Sequence, residues 1–256
     1  MARLIRTALG WLLFLALIGG AYLFGRDNVR RHPQDVPWTK LSLTDPVGRF
    51  TGRKLAALGE DPVQCRALLA SGGLDDTPVP PRIASPQCGY RDGIRLGSAS
   101  LRPGTEGLGP GQDDRASYRP TGLVTACPVA AALALLERDV IDLAAVRHFG
   151  SRVTAIDHAG SYSCRRLYGR SEGAFSEHAT ADAVDITGFR LADGKTISVL
   201  RDWQGSGPEA AFLQEVRDGA CRLFATVLSP DYNAAHADHL HLDQANRGPT
   251  GWRGCR

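Results

Sequence analysis

Four of the seven histidines fall in two short segments that also carry acidic residues. The segments are Ser176-Glu-His-Ala-Thr-Ala-Asp-Ala-Val-Asp-Ile186 and His236-Ala-Asp-His-Leu-His-Leu-Asp243. One surface histidine carries no functional signal, and a His-x-His pair arises by chance fairly often. Two such segments in one chain indicate a metal or acid–base site, because imidazole and carboxylate groups are common zinc ligands.

The second segment has the alternating pattern of a strand. Side chains alternate between strand faces, so His239 and His241 share one face, while Leu240 and Leu242 point to a core on the other. Either both imidazoles bind one metal ion, or one binds while the other transfers protons, and the spacing leaves this open. His236 lies three residues upstream, where a turn can bring it back to the same place.

In the first segment, Val184 and Ile186 flank Asp185, so the carboxylate lies opposite an apolar face. His178 comes seven residues earlier, on the loop that leads into this strand. Two histidines and one carboxylate are typical ligands of catalytic zinc, which activates a bound water and polarises a carbonyl. A structural metal is the alternative, although closed zinc sites favour cysteine-rich ligand sets.

The sequence pattern around these residues indicates a mixture of helices and strands without a regular βαβ order, and we therefore expect an α+β fold. Apolar residues at helical spacing predict one helix from Pro128 and another over about residues 209–228. The predicted strands are Val153–Ile156, Val184–Leu191, Thr196–Leu200 and His239–Asp243. Residues 103–122, rich in Gly, Pro and Asp, predict a long loop. We expect a small antiparallel sheet with flanking helices that carries a zinc site.

Residues 8–25 form a charge-free apolar run of about 18 residues, near the lower limit for spanning a bilayer. Arg3 and Arg6 precede it, as in an export signal. The run ends without a good small-x-small cleavage site, which favours an uncleaved signal anchor over a cleaved signal peptide. The predicted organisation is a transmembrane helix at 1–25, a tether at 26–60 and a folded domain at 61–256.

All six cysteines follow the apolar run. An even number of cysteines in an exported domain indicates three disulfides, with fifteen possible pairings that the sequence does not distinguish. Six unpaired thiols in a cytosolic protein are the alternative. The formal net charge of +3 comes from residues 1–39, and the rest balances 25 basic against 25 acidic residues. The domain therefore lacks the basic surface that nucleic-acid binding requires.

The two histidine segments resemble a known motif pair. In lysostaphin-type enzymes, D-alanyl-D-alanine carboxypeptidases and hedgehog domains the pattern is Ser-x-His-x-x-Gly-x-Ala-x-Asp, followed by His-x-His. This chain matches at Ser176, His178, Ala183, Asp185, His239 and His241. It departs from the pattern at Ala181, where Gly is usual.

Two narrower resemblances follow. His-Ala-Asp-His-Leu-His is similar to the second motif of bacterial penicillin-insensitive murein endopeptidases, and the stretch from about Cys65 to Cys255 resembles the bacterial extensin-like C-terminal family. The superfamily resemblance implies zinc bound by His178, Asp185 and His241. It also implies that His239 assists catalysis, by proton transfer or by stabilising an oxyanion. The resemblance to the murein endopeptidases implies that His236 is a further active-site histidine.

Two more residues are candidates for substrate binding. Arg165 ends the segment Gly-Ser-Tyr-Ser-Cys-Arg after a predicted strand, and related enzymes hold a substrate carboxylate with an arginine in a comparable Tyr-Arg segment. A guanidinium suits bidentate carboxylate binding; a solvated arginine beside a disulfide is the alternative. Ser176 either hydrogen-bonds the substrate or shapes the turn before His178, and the turn is favoured.

The resemblance implies a zinc-dependent peptidase that cleaves peptidoglycan stem peptides, as a carboxypeptidase or an endopeptidase. We expect a single-pass protein of the inner membrane with its C-terminal domain in the periplasm. A metal-containing binding module without turnover, as hedgehog-type domains can be, is the alternative. A serine hydrolase is disfavoured because the chain has no Gly-x-Ser-x-Gly elbow.

Overall fold

The computed structural model of the chain describes residues 2–74, 77–96, 116–248 and 252–256. It begins with a long helix, α1 (Ala2–Arg31). Within it, Gly10–Arg31 is long and apolar enough to cross a membrane, judged by length and composition alone. Apolar side chains along this stretch, such as Leu17 and Phe24, are exposed.

The segment predicted as a tether is largely folded. Within residues 26–60, α1 continues to Arg31 and α2 (Thr51–Ala57) follows, and α3 (Pro62–Ser71) comes directly after this segment. Leu43 and Leu55 are fully buried in the same core as the domain. These leucines are too widely spaced to give a periodic pattern, so the sequence did not reveal that this part of the chain packs on the domain.

A buried helix forms the centre of the helical layer. Every residue of α4 (Cys127–Leu136) is buried, and a π-helical turn (Glu137–Ile141) joins it to α5 (Asp142–Phe149). The short α6 (Val199–Asp202) and the amphipathic α7 (Pro208–Leu223) complete the layer. α4 contacts α2, α3 and α7, so the N-terminal and C-terminal helices share one core.

The described residues form twelve strands. They are β1 (Thr77–Pro78), β2 (Arg82–Ser85), β3 (Cys88–Tyr90), β4 (Gly93–Arg95), β5 (Ser117–Arg119), β6 (Val124–Ala126), β7 (Val153–Gly160), β8 (Ala183–Leu191), β9 (Thr196–Ser198), β10 (Thr226–Leu228), β11 (Leu240–Asp243) and β12 (Gly254–Cys255). Within the described chain, the largest sheet has the order β12-β10-β11-β8-β7-β5, with β9 also paired to β8. Its central pairs are antiparallel, whereas β5–β7 and β10–β12 are parallel.

The α+β class is therefore confirmed, with four local corrections. The second predicted helix ends at Leu223, and Val227, which fits the helical period, lies on β10. Two predicted strands are shorter: strand 196–200 ends at Ser198, before α6 begins at Val199, and strand 239–243 begins at Leu240, so that His239 lies just before β11. Part of the predicted loop 103–122 is strand β5, and its residues 103–115 lie outside the described residues.

The two faces of the central sheet differ in character. Leu240, Leu242, Val184 and Ile186 are buried and belong to the same hydrophobic core as the helices. Because side chains alternate along a strand, the residues between them must leave the sheet on the opposite face. That face carries the residues of the candidate site.

Three disulfides brace the domain, and all six cysteines lie in described residues. They pair Cys65–Cys127, Cys88–Cys164 and Cys221–Cys255. The first joins α3 to the start of α4, and the last joins α7 to β12. The second connects β3 to the loop that follows β7, so it holds the residue beside Arg165. The predicted three bridges are confirmed.

Candidate metal centre

Asp185 and His241 face each other across neighbouring strands. The antiparallel register of β8 and β11 pairs these two residues directly, just as it pairs Ile186 with Leu240. Oδ1 of Asp185 lies 3.0 Å from Nδ1 of His241, and both side chains are buried. The sheet itself therefore sets the distance between these two groups.

His178 approaches the same point from a short 3₁₀ helix (Glu177–Thr180) before β8. Its Nε2 is 3.1 Å from Nδ1 of His241 and 3.2 Å from Oδ2 of Asp185. One ligand atom from each of the three residues lies within 4.8 Å of the others. The structure therefore brings together the three residues predicted as ligands, in an arrangement that could hold a metal ion.

The outer nitrogen of each imidazole is also held. Nδ1 of His178 lies 2.6 Å from the carbonyl oxygen of Ser161, and Nε2 of His241 lies 3.4 Å from Oδ2 of Asp243. In each ring, the other nitrogen points to the centre of the cluster. Metal-binding histidines commonly have this second partner, which fixes the orientation of the ring.

The carboxylates around the cluster favour a positively charged imidazole. Burial disfavours the charged form of His241, but the carboxylates of Asp185 and Asp243 raise its pKa to about 9. Burial also acts to raise the pKa of Asp185, yet hydrogen bonds from His178 and His241 hold it well below its usual range. The site therefore favours a positive charge next to Asp185, which either a proton or a metal cation supplies.

The other two histidines lie at the edge of the cluster. Nε2 of His239 is 3.5 Å from Oδ1 of Asp185, and its Nδ1 is 2.7 Å from Oδ1 of Asp238. The ring of His236 lies 5.2 Å from that of His239, between ring centroids. Burial and the neighbouring histidines lower the pKa of His236 to about 4. Both residues therefore border the three-residue cluster without belonging to it.

Arg165 and Ser176 lie beside the cluster in different settings. A terminal nitrogen of Arg165 is 3.9 Å from Oδ2 of Asp185, and its side chain is 49% exposed, so it can also meet a ligand. Ser176 is buried, and its hydroxyl accepts a hydrogen bond from the backbone N–H of His178. These contacts give Ser176 the turn-shaping role.

Several partners of the cluster were not assigned from the sequence. Asp243 lies two residues after His241, so the alternation that places His239 and His241 on one face also places Asp243 there. The sequence pattern could therefore have identified Asp243 as a partner of the cluster.

Ser161 contacts Nδ1 of His178 through its backbone carbonyl oxygen. Every residue has such a carbonyl, so the residue type at position 161 could not predict this contact. Gly160 precedes Ser161 with φ of +115°, a conformation that favours glycine, and this lets the chain turn out of β7 toward His178.

Fold and site define an α+β domain, braced by disulfides, with a buried His/Asp/His cluster on one face of its sheet. Residues 63–256 match the family model described as Extensin-like protein C-terminus, so the chain belongs to the extensin-like C-terminal family. No curated protein and no solved structure matches the chain.

Proposed function

We propose that this protein is a zinc-dependent peptidase that acts on peptidoglycan stem peptides, as a carboxypeptidase or an endopeptidase. One observation carries the proposal. Nε2 of His178 and Nδ1 of His241 lie 3.1 Å apart, and Asp185 places Oδ2 3.2 Å from the first and Oδ1 3.0 Å from the second. The outer nitrogen of each imidazole already has an acceptor. The resemblance of both motifs to murein-cleaving metallopeptidases supplies the substrate class.

The donor set suits zinc in chemistry and in size. Two imidazole nitrogens and one carboxylate oxygen are typical protein ligands of catalytic zinc. Ligands at about 2.0–2.1 Å in a tetrahedral arrangement are about 3.3 Å apart, close to the 3.1 Å that separates Nε2 of His178 from Nδ1 of His241. When bound, zinc supplies a Lewis acid that activates water and polarises a carbonyl.

The residues around the cluster have separate roles in this proposal. Arg165, half-exposed at the edge of the site, binds a carboxylate of the peptide and orients it. His239 accepts and returns a proton at Nε2, while Asp238 holds the opposite nitrogen and fixes the ring. His236, neutral at pH 7 because of its lowered pKa, lines the same side and limits the mobility of His239.

The proposed location follows from the N-terminal helix and the disulfides. An uncleaved α1 anchors the chain in the inner membrane, and the cysteine-bearing domain lies in the oxidising periplasm, where disulfides persist. Peptidoglycan is within reach of a domain held there. Fractionation that finds the full-length chain soluble in the cytoplasm would contradict this location.

The test compares metal content and turnover in the same samples. Full-length protein in detergent micelles is incubated with purified peptidoglycan, and the released fragments are separated by chromatography and identified by mass. His241→Ala should lose zinc and activity together, whereas His239→Ala should keep zinc while activity falls about 10²–10⁴-fold. His148→Ala is the control. His148 lies on α5 in the helical layer, where its side chain pairs with Glu215 of α7 and not with the cluster.

Two outcomes would refute parts of the proposal. If His239→Ala empties the site and His241→Ala retains zinc, the roles of the two histidines are reversed. If the wild-type protein holds zinc and cleaves no cell-wall fragment, the domain is a metal-containing binding module instead of an enzyme.

A further inference from the structure

The chain passes directly from α1 into the folded domain. A 3₁₀ turn (Pro33–Asp35) begins two residues after α1 ends at Arg31. Backbone hydrogen bonds continue across the junction, because the N–H of His32 donates to the carbonyl of Asn28 and the N–H of Asp35 donates to that of His32. No unbonded spacer therefore separates the helix from the turn within this described part of the chain.

The first residues after α1 are already held by the domain. Gln34 is buried, and its backbone carbonyl accepts a hydrogen bond from the N–H of Phe50 at 2.9 Å. Its side-chain amide donates to the carbonyl of Lys40 at 3.0 Å and to Oδ2 of Asp45 at 2.8 Å. Lys54 of α2 donates to Oε1 of Gln34 at 2.9 Å. The position of the domain relative to the end of α1 is thus fixed by contacts that begin at residue 34.

Residues 33–39, the juxtamembrane loop, form a closed turn that carries an exposed tryptophan. The hydroxyl of Thr39 contacts the carbonyl oxygens of Pro33 and Val36, so the loop ends beside the point where it starts. Trp38 directly precedes this closing residue and is 77% exposed. The closed turn therefore keeps Trp38 close to the end of α1, and the packing of the domain leaves its ring uncovered.

The length of α1 places this loop at the surface of a bilayer. As a helix, the apolar run of residues 8–25 is about 27 Å long, which matches a hydrocarbon core of about 30 Å. The rest of α1, residues 26–31, adds about 9 Å, and the headgroup layer on each side is about 5–8 Å thick. The juxtamembrane loop therefore begins where the headgroups end, and any tilt of α1 brings it further into them.

We propose that the juxtamembrane loop is a membrane-contact surface, with the ring of Trp38 in the interfacial layer of the bilayer. Tryptophan is enriched at this depth, because its ring is largely apolar while its N–H can still be hydrogen-bonded. The inference rests on the proposed location, in which α1 remains in the membrane, and is independent of zinc and of peptidase activity. In this arrangement one edge of the domain is held on the lipid headgroups.

Quenching of tryptophan fluorescence by lipid tests the contact. The full chain is reconstituted in vesicles of phosphatidylcholine, with or without a nitroxide attached to the headgroup, which quenches only indoles close to it. The emission of wild-type protein minus that of Trp38→Phe gives the signal of position 38. This signal should lose most of its intensity in the nitroxide vesicles, because the ring lies in the layer that carries the quencher.

Two controls use the same subtraction. Trp11 lies in the apolar run near its cytoplasmic end, so the signal obtained with Trp11→Phe should also be quenched. Tyr232→Trp, made in the Trp38→Phe background, places an indole at an exposed position beside His236, on the face of the sheet opposite the helices. Its added emission should be retained. Far-ultraviolet circular dichroism of each variant shows that the fold is kept.

The three signals together decide the question. Quenching at position 38 with emission retained at position 232 supports the membrane contact. Quenching at position 11 without quenching at position 38 would overturn the contact and leave the proposed location intact. Equal quenching at positions 38 and 232 would also overturn it, because the loop would then be no closer to lipid than the far face of the sheet. If neither position 11 nor position 38 is quenched, α1 is not in the bilayer, and the location and the contact both fail.

Discussion

Ala181 closes the turn that begins at His178. Its backbone N–H donates to the carbonyl of His178 at 3.2 Å, and its φ of +59° lies in the left-handed region. A side chain at this φ is strained by about 1–2 kcal/mol. Ala181 is therefore a strained residue at the end of this turn.

Ala181→Gly should change stability little. Relief of about 1–2 kcal/mol of strain is offset by about 0.5–1 kcal/mol of glycine backbone entropy and about 0.8 kcal/mol for the lost buried methyl. The free energy of unfolding should stay within about 1 kcal/mol of wild type. Ala181→Val should lose about 2 kcal/mol or more, because a β-branched residue is strained at this φ and the site is fully buried.

Urea unfolding of both variants, at equal zinc, checks this balance. A glycine variant that is much less stable than the valine variant would show that packing of the methyl group, and not the left-handed backbone, constrains position 181.

Arg165 is predicted to act on substrate affinity alone. Arg165→Gln should raise KM for a peptide with a free carboxylate about tenfold or more, since a charge-assisted hydrogen bond is lost, and should leave zinc content unchanged. Arg166→Gln is the control. Its guanidinium stacks over Phe175, 4.3 Å from the ring centre, and does not reach the cluster.

Steady-state kinetics beside metal analysis separates these effects. Loss of zinc in Arg165→Gln would show that Arg165 stabilises Asp185 instead of meeting the substrate. An equal rise in KM for both variants would show that the loop carrying both arginines, and not Arg165 itself, determines the affinity for substrate.

The sequence predicted which strand faces carry the chemistry, and it did so from local alternation. Val184 and Ile186 around Asp185, and Leu240 and Leu242 around His241, defined a buried face and an opposite one. Alternation gives the face of a residue but not its neighbouring strand. That Asp185 lies opposite His241 follows from the pairing of β8 with β11, two strands separated in sequence by β9, α6, α7 and β10.

Other features depended on contacts that have no local pattern. The helical spacing of Val216, Ala220, Leu223 and Val227 runs across the end of α7, because Phe224 is extended and Val227 belongs to a strand. The three disulfides were expected, but their pairing depends on the distance between elements far apart in sequence. Those two features required the tertiary structure.

His158 should make stability depend on pH outside the metal centre. One ring nitrogen of this buried residue is hydrogen-bonded to the carbonyl of Pro120, and its Nδ1 has no partner among the described residues. Burial lowers its pKa below the ordinary value near 6.5, against the opposing effects of Pro120 and Asp157. The unfolded chain therefore takes up the proton first, so stability is present above about pH 6.5 and is lost as pH falls below it.

Urea unfolding at about pH 7.5 and about pH 5 measures this loss. In His158→Gln, an amide can keep the bond to Pro120 without titrating, and the difference between the two pH values should shrink. A variant with the same pH dependence as wild type would assign the loss to other groups.

Asp243 should set the affinity for zinc through His241. Its Oδ2 lies 3.4 Å from the outer nitrogen of that ring, and the side chain is buried. A carboxylate in this position orients the imidazole and makes it a stronger ligand. Asp243→Asn keeps the shape and removes the charge, so zinc affinity should fall about 10–100-fold. Competition with a fluorescent zinc chelator measures the change, and activity should return when zinc is added in excess.

Asp238→Asn is the matched control, because Asp238 holds His239, which the proposal assigns to proton transfer, at 2.7 Å. This variant should keep the zinc affinity of wild type and lose activity that added zinc does not restore. One substitution removes a charge beside His239 and the other removes a charge beside His241, so together they separate metal binding from proton transfer without removing either imidazole. If Asp238→Asn weakens zinc binding and Asp243→Asn does not, His239 is the ligand and His241 the proton-transfer group.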